Sequence, residues 1–189
     1  MKKVQLYSGG MDSYIISKLW KPDVLLYFDY GTPQTEQEKK RLPKRTVIKP
    51  LPIGEYTEND GINTIPLRNL IFSALAVNYG DIIAIGGLKT DLHYDKKPEF
   101  AMLATELFNQ VLNKERSHRN VEIVIPYADY KKSDLVYEYL CKGYSVEKLY
   151  TETWSCHTPK GETPCGCCQA CNAKRIAIEE AVKRYEKDR

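Results

Sequence analysis

The chain contains neither a Gly-x-x-x-x-Gly-Lys-Ser/Thr run nor a Gly-x-Gly-x-x-Gly run, so the two commoner phosphate-binding turns are excluded. No apolar stretch approaches the length of a membrane span, which sets aside a transmembrane helix. Charge of one sign is not in excess: 28 Lys and Arg stand against 25 Asp and Glu, interleaved along the chain. A net charge of +3 makes a nucleic-acid groove unexpected and points to small or local partners. Internal repeats and low-complexity segments are lacking as well. Histidine is scarce, and His93, His118 and His157 have no ligand-like spacing to the cysteines beyond adjacency. No secretory segment precedes residue 4, so a cytoplasmic, reducing setting is expected and the cysteines are not read as a disulfide framework. The length of 189 residues fits one globular domain, 1–189, that builds its own core and bears a small metal-binding segment.

What is present begins almost at once. Residues 6–13 read Leu-Tyr-Ser-Gly-Gly-Met-Asp-Ser after an apolar start, and a strand running into Ser-Gly-Gly and then Asp-Ser opens a phosphate-binding turn. Gly9 and Gly10 can take positive φ and bring backbone N–H groups close to an anion, while Ser8 and Ser13 add hydroxyl donors. The helix that follows, from about Asp12, points its N-terminus at the same place. The plainer alternative is an ordinary strand-to-helix turn.

Near the other end Cys156, Cys165, Cys168 and Cys171 fall within sixteen residues, the last three as Cys-x-x-Cys-x-x-Cys. Two-residue gaps let thiolates converge on one tetrahedral ion, so structural Zn²⁺ is expected over about 154–173. Cys167 is left out because it should point away from its neighbour Cys168. Lys174, Arg175 and a helix N-terminus near residue 172 would offset the charge of four thiolates on zinc. Cys141, in an apolar helical stretch, is read as core.

Between these ends, β-rich runs at 4–7, 24–29, 45–48, 81–85 and 121–125 alternate with helical patterns at about 12–18, 68–79, 99–113, 132–141 and 172–187. Ser145 caps a further short helix through residue 150. The crossover from 30 to 46 is short, with room at 35–42 for only about two helical turns. Such alternation predicts an α/β fold with a mostly parallel sheet, in which ligands sit beyond the carboxyl ends of the strands. Polar residues cluster there in sequence, at 8–13, 29–31, 86–95 and after Pro126.

Ser8-Gly9-Gly10-Met11-Asp12-Ser13 resembles the pyrophosphate loop (PP-loop) of the ATP pyrophosphatases, whose fold is that of the adenine nucleotide alpha hydrolases. Three further segments narrow the likeness to the 7-cyano-7-deazaguanine synthases, the QueC family, and a fourth extends it to the wider superfamily. Ile65-Pro66-Leu67-Arg68-Asn69 is similar to its Val-Pro-x-Arg-Asn segment, and residues 86–91 to its Gly-rich strand end followed by Thr-Asp. Thr153-Trp154-Ser155-Cys156 with the three later cysteines looks like its zinc site, and Lys132-Ser133-Asp134-Leu135-Val136 resembles the Lys-Ala-Glu-Ile-Val helix start of the wider superfamily. The resemblance implies a ligase that uses ATP, Mg²⁺ and ammonia to convert 7-carboxy-7-deazaguanine to the nitrile through an adenylate and an amide, in queuosine biosynthesis.

On that resemblance Asp12 would bind Mg²⁺ and Lys132 would answer phosphate charge, as the catalytic pair. Ser8, Gly9, Gly10, Met11, Ser13, Arg68 and Asn69 would hold the nucleotide, and Tyr30, Gly87, Asp91, His93 and Tyr94 the deazapurine. Plainer alternatives stand beside these: a surface ion pair for Arg68, a solvated Lys132, and an Asp91 that only caps a turn. The chain also departs from the family pattern. It has Tyr30-Gly31-Thr32-Pro33-Gln34 in place of Tyr-Gly-Gln-Arg-His, and its 90–100 loop is two residues shorter and lacks a Cys and an Arg. An enzyme that stops at the amide, or joins a deazapurine to another amine, is therefore an alternative. A tRNA-thiolating enzyme of the same loop type and a non-catalytic zinc-ribbon protein are two more. A homodimer is left open.

Overall fold

The computed structural model of the protein describes residues 1–31, 33–58, 65–114 and 119–189. Strands β1 (Lys3–Leu6), β2 (Val24–Asp29), β3 (Val47–Pro50), β4 (Ile82–Ala84) and β5 (Glu122–Val124) form one sheet in the order β3-β2-β1-β4-β5. Every neighbouring pair is parallel. The middle of β2, Leu25 to Phe28, is buried on both faces, which explains its unbroken apolar run. At the edge, β3 is exposed over most of its length and ends on Pro50, a residue tolerated where no further strand needs its N–H.

Helices cover both faces of the sheet. On one side Phe72 and Ala76 of α3 (Arg68–Ala76) and Ala101 and Ala104 of α4 (Pro98–Lys114) pack on Val4, Leu26, Phe28, Ile83 and Ile123. On the other, α1 (Met11–Leu19), α5 (Lys132–Cys141), α6 (Val146–Thr151) and α7 (Gln169–Lys187) share a second core around Tyr14, Ile15, Leu135, Tyr139, Leu149 and Ile178. The seven-residue α2 (Pro33–Lys39) gives the short crossover its two turns. The α/β architecture is that expected, with a sheet that is wholly parallel.

Local expectations differ from the structure in several places, and helix α3 ends at Ala76 rather than at 79. Strand β3 lies two residues further along than 45–48. Helix α7 begins at Gln169 rather than near 172, because Cys168 takes the extended backbone of an N-cap, and this puts Cys171 in the first turn. Cys141 is exposed, since its place on α5 faces outward while Leu140 and Tyr139 take the core positions.

Strand β1 has β2 on one side and β4 on the other, so the chain leaves it in opposite directions at its two borders. That reversal opens a crevice beyond the carboxyl ends of β1 and β4, where open parallel sheets hold ligands.

Candidate nucleotide site and cysteine cluster

Beyond β1 the Tyr7 N–H still pairs with the Leu26 carbonyl at 2.8 Å, and the chain then turns at Ser8. Gly9 takes φ +72°, the left-handed region that a side chain resists, and a Cβ there would lie 3.4 Å from Cβ and the carbonyl oxygen of Glu38. The loop is closed from within: Ser8 N–H donates to Ser13 Oγ at 3.0 Å and Gly10 N–H to Ser8 Oγ at 3.3 Å. Gln5 Nε2 donates to the Ser13 carbonyl at 2.7 Å, and the buried Met11 anchors the first turn of α1. Gly10 caps α1 without a side chain, so the opening turn offers its N–H groups to the crevice.

Asp12 and Lys132 are 120 residues apart in sequence, yet Lys132 Nζ is ion-paired with Asp12 Oδ2. Asp12 Oδ1 is buried and has no hydrogen-bond partner among the described residues. An orphaned carboxylate oxygen beside a phosphate-type loop suits a hard divalent cation, which takes oxygen ligands. Lys132 is the first residue of α5, where the helix dipole disfavours a cation, and the Asp12 carboxylate compensates.

Arg68 and Asn69 form the start of α3 over the end of β2. The Arg68 guanidinium stands 5.8 Å from the centre of the Tyr30 ring, which packs on Phe72 with ring centres 5.9 Å apart. Asn69 is buried and its Nδ2 has no partner among the described residues; Ser73 Oγ, one turn on, is in the same condition. Leu67 enters the helix at φ +57°, a costly conformation for a branched side chain. Ile53, Tyr56, Glu58, Ile65, Pro66 and Ile71 line a cavity of about 400 Å³ beside this turn. Thr32 and His118 lie outside the described residues.

In the loop after β4, Asp91 Oδ2 accepts from Leu88 N–H at 2.8 Å and Oδ1 from Lys96 Nζ at 3.1 Å. Both oxygens are thus engaged in the turn's own structure. A Cβ on Gly87 would fall 2.5 Å from the Lys96 carbonyl, so glycine is what lets the loop fold back on the strand end. His93 and Tyr94 are exposed, Tyr94 set edge-on to Phe100.

Sγ atoms of Cys156, Cys165, Cys168 and Cys171 all lie within 4.8 Å of one another, with Cys165 and Cys171 at 4.0 Å. A tetrahedral ion bound at about 2.3 Å sets sulfur separations of about 3.8 Å, so the donor set fits zinc. Cys165 N–H points at Cys156 Sγ (3.2 Å) and Cys168 N–H at Cys165 Sγ (3.3 Å). The Thr158 hydroxyl and then the N–H groups of Cys167 and Cys168 bring the Cys165 thiol down to about 5, whereas burial pushes Cys171 up to about 12. Cys167 is exposed and His157 is not part of the cluster.

Glu38 carries no sequence signal of its own, while Trp154 and Lys174, read in the sequence as part of the cysteine segment, also reach toward the loop. Glu38 Oε2 accepts from the buried Tyr27 hydroxyl at 2.9 Å. Burial pushes the Glu38 carboxyl up to about 7, against the opposing effects of the Tyr27 hydroxyl and of Arg68. Trp154 N–H donates to the Gly9 carbonyl at 2.9 Å, and Lys174 Nζ donates to Thr153 Oγ1 at 2.7 Å. Burial lowers Lys174 to about 8.

This sheet order and this loop define an α/β protein of the PP-loop, Rossmann-like class, carrying a four-cysteine cluster fit for zinc. The family model for Queuosine biosynthesis protein QueC matches residues 45–182, and the chain belongs to that family. It is 28% identical over 135 residues to the 7-cyano-7-deazaguanine synthase of Trichodesmium erythraeum, covering 68% of this chain and 59% of that protein. To the synthase of Prochlorococcus marinus it is 27% identical over 224 residues, covering 97% of this chain and 96% of the relative. For Aquifex aeolicus the identity is 29% over 221 residues, with 95% of each chain covered. These last two alignments are longer than the 189 residues of the chain, so the relatives carry insertions that it lacks.

Proposed function

We propose that the protein is an ATP-dependent carbon–nitrogen ligase that converts 7-carboxy-7-deazaguanine and ammonia to 7-cyano-7-deazaguanine, with the whole chain acting as one unit. The observation that carries the reading is the pairing of Asp12 with Lys132 at a Ser-Gly-Gly loop in the crevice where the strand order reverses. The names of the relatives supply the substrate class.

A carboxylate cannot expel hydroxide at neutral pH. Its oxygen therefore attacks the α-phosphorus of ATP, pyrophosphate leaves, and an acyl adenylate forms. Ammonia attacks the acyl carbon and AMP departs, giving the amide. The amide oxygen then attacks a second ATP, and loss of AMP and protons leaves the nitrile. In both activations the developing charge is on departing pyrophosphate, and the N–H groups of residues 9–13 with the Ser8 and Ser13 hydroxyls are the donors that would answer it. Asp12 would hold Mg²⁺ through the oxygen that now lacks a partner, and Mg²⁺ supplies charge neutralisation of the phosphates. Lys132, released from Asp12, would turn to a phosphate oxygen. Arg68 and the Asn69 amide would face nucleotide or substrate oxygens, while Tyr30, Gly87, Asp91, His93 and Tyr94 remain our candidates for the deazapurine. Zinc at the four cysteines is structural, supplying folding energy.

Incubation with Mg-ATP, ammonia and 7-carboxy-7-deazaguanine, with products read by mass, tests substrate and reaction together. AMP, pyrophosphate and nitrile are expected. ADP and phosphate in their place would remove the PP-loop reading; accumulation of the amide would mean that the shortened 90–100 loop has cost the second activation.

A further inference from the structure

A Gly-Gly peptide is the least constrained link in any loop, and here it is the link that must aim an N–H at phosphate. Gly9 C=O and Gly10 N–H belong to one planar unit and point in opposite directions, so whatever fixes the carbonyl also aims the N–H. Nothing in two glycines resists rotation of that unit. The resistance comes from outside the loop: the Trp154 N–H holds the Gly9 carbonyl at 2.9 Å. Gly10 N–H is thereby turned to the inner side, where it lies 3.3 Å from Ser8 Oγ.

Trp154 is itself held on several sides. It is 3% exposed, its Nε1–H donates to the Cys156 carbonyl at 2.9 Å, and the Arg41 guanidinium lies over the ring at 4.3 Å. Arg41 is braced by a 2.9 Å bond from its Nη1 to the Gln37 carbonyl of α2. Its neighbour Lys40 is ion-paired with Glu162, in the segment between the first two cysteines of the cluster. From α7, Lys174 fixes Thr153. One residue, Trp154, thus has its backbone on the phosphate loop, its ring under a cation from just beyond α2, and its indole N–H on the first cysteine.

We propose that Trp154, clamped by Arg41, is a positioning residue that holds the Gly9–Gly10 peptide in its phosphate-binding orientation, so that the order of the cysteine segment sets the affinity of the loop for pyrophosphate. The inference rests on the nucleotide reading given above. It assigns to the metal-binding segment a second duty besides folding: it is the outer wall of the loop.

The test uses the zinc-loaded full-length protein and its Arg41→Ala, Arg41→Lys and Trp154→Phe variants. Two measurements are made: calorimetric binding of magnesium pyrophosphate, and amide hydrogen exchange across residues 8–13. Zinc content is checked in each. Loss of the cation–π contact in Arg41→Ala should weaken pyrophosphate binding and speed loop exchange, each by about tenfold, with four-thiolate zinc retained. Trp154→Phe keeps the backbone N–H and an aromatic face and should stay within about threefold of the parent, with Arg41→Lys between the two. Loop exchange in Arg41→Ala equal to that of the parent overturns the clamp, whatever the ligand does. If the parent binds no magnesium pyrophosphate while Arg41→Ala still speeds loop exchange, the nucleotide reading falls and the clamp stands as a structural device only.

Discussion

Replacing Glu38 by Gln tests the electrostatics of the site, because the carboxyl sits behind Gly9 in a place built for an anion. Burial raises it to about 7 in the folded protein, against 4.5 as the ordinary value. Between those values the folded chain keeps a proton that the unfolded chain has lost. The unfolded state therefore binds fewer protons, and stability falls as pH rises through the window from about 4.5 to 7. Below that window both states are protonated and the residue contributes nothing. The full difference corresponds to about 3 kcal/mol at most, and nearer to about 2 kcal/mol because the side chain keeps some contact with solvent. A glutamine at this position cannot ionise, yet its amide oxygen still accepts from the Tyr27 hydroxyl. We expect Glu38→Gln to match the parent near pH 4.5 and to exceed it by about 2 kcal/mol near pH 8, a rise in Tm of roughly 4–8 °C for a chain of this size. Thermal unfolding across that range is the assay, and parallel pH profiles for the two proteins would refute the reasoning. Ligand binding offers an independent check: pyrophosphate bound beside Gly9 adds like charge, so the parent should take up a proton on binding at about pH 7.5 and the variant should not.

Serine in place of any of Cys156, Cys165, Cys168 or Cys171 should release most of the metal and open the 153–173 segment to protease, whereas Cys167→Ser should keep a full complement of zinc by metal analysis. Asp12→Asn should slow ATP cleavage by about two to three powers of ten, and because Lys132 works through the same site, adding Lys132→Met should cost far less than it does alone; additive losses in pyrophosphate release would show the pair to be uncoupled. Asp91→Ala removes the acceptor of the Leu88 N–H and should lower stability by about 1 kcal/mol in urea titrations. The same variant should bind the deazapurine more weakly with ATP affinity kept, and equal losses for both ligands would move recognition to Tyr30 and Arg68.

Much of the fold is legible in the sequence because its central strands are buried on both faces, and a run such as Val24 to Phe28 has no other plausible use. The loop at 8–13 is legible because only glycine serves at Gly9. Other features depend on contacts that no local pattern encodes. Glu38 lies in Glu36-Gln37-Glu38-Lys39-Lys40-Arg41, a string that reads as a solvated helix face. It is half-buried because a two-turn crossover lays α2 against Gly9. The start of α7 depends on Cys168 serving as N-cap within the cysteine cluster, which periodicity does not register. Cys141 sits in an apolar run, but the core side of α5 is taken by Leu135, Val136, Tyr139 and Leu140. Asp12 and Lys132 can each be singled out from the sequence; their meeting across 120 residues follows only from the packing of α5 against α1.

That meeting also neutralises two charges that share one cleft. An uncompensated carboxylate and an ammonium in the same cleft would each resist partial burial, and an anion-binding loop with a bare Asp12 would repel phosphate. The ion pair removes both difficulties, and because each partner keeps roughly 30% of its side chain exposed it is of modest strength. On the proposed reading a pair of that kind exchanges at little cost: Asp12 would hold a divalent cation through its oxygens, including the buried Oδ1, and Lys132 would turn to the phosphate bound with the metal. Neither ion alone offers the same trade. Phosphate without metal leaves Asp12 facing like charge, and metal without phosphate leaves Lys132 beside a cation. On the proposed reading the loop therefore selects the magnesium complex of ATP over either component, through two side chains already in place before the nucleotide binds.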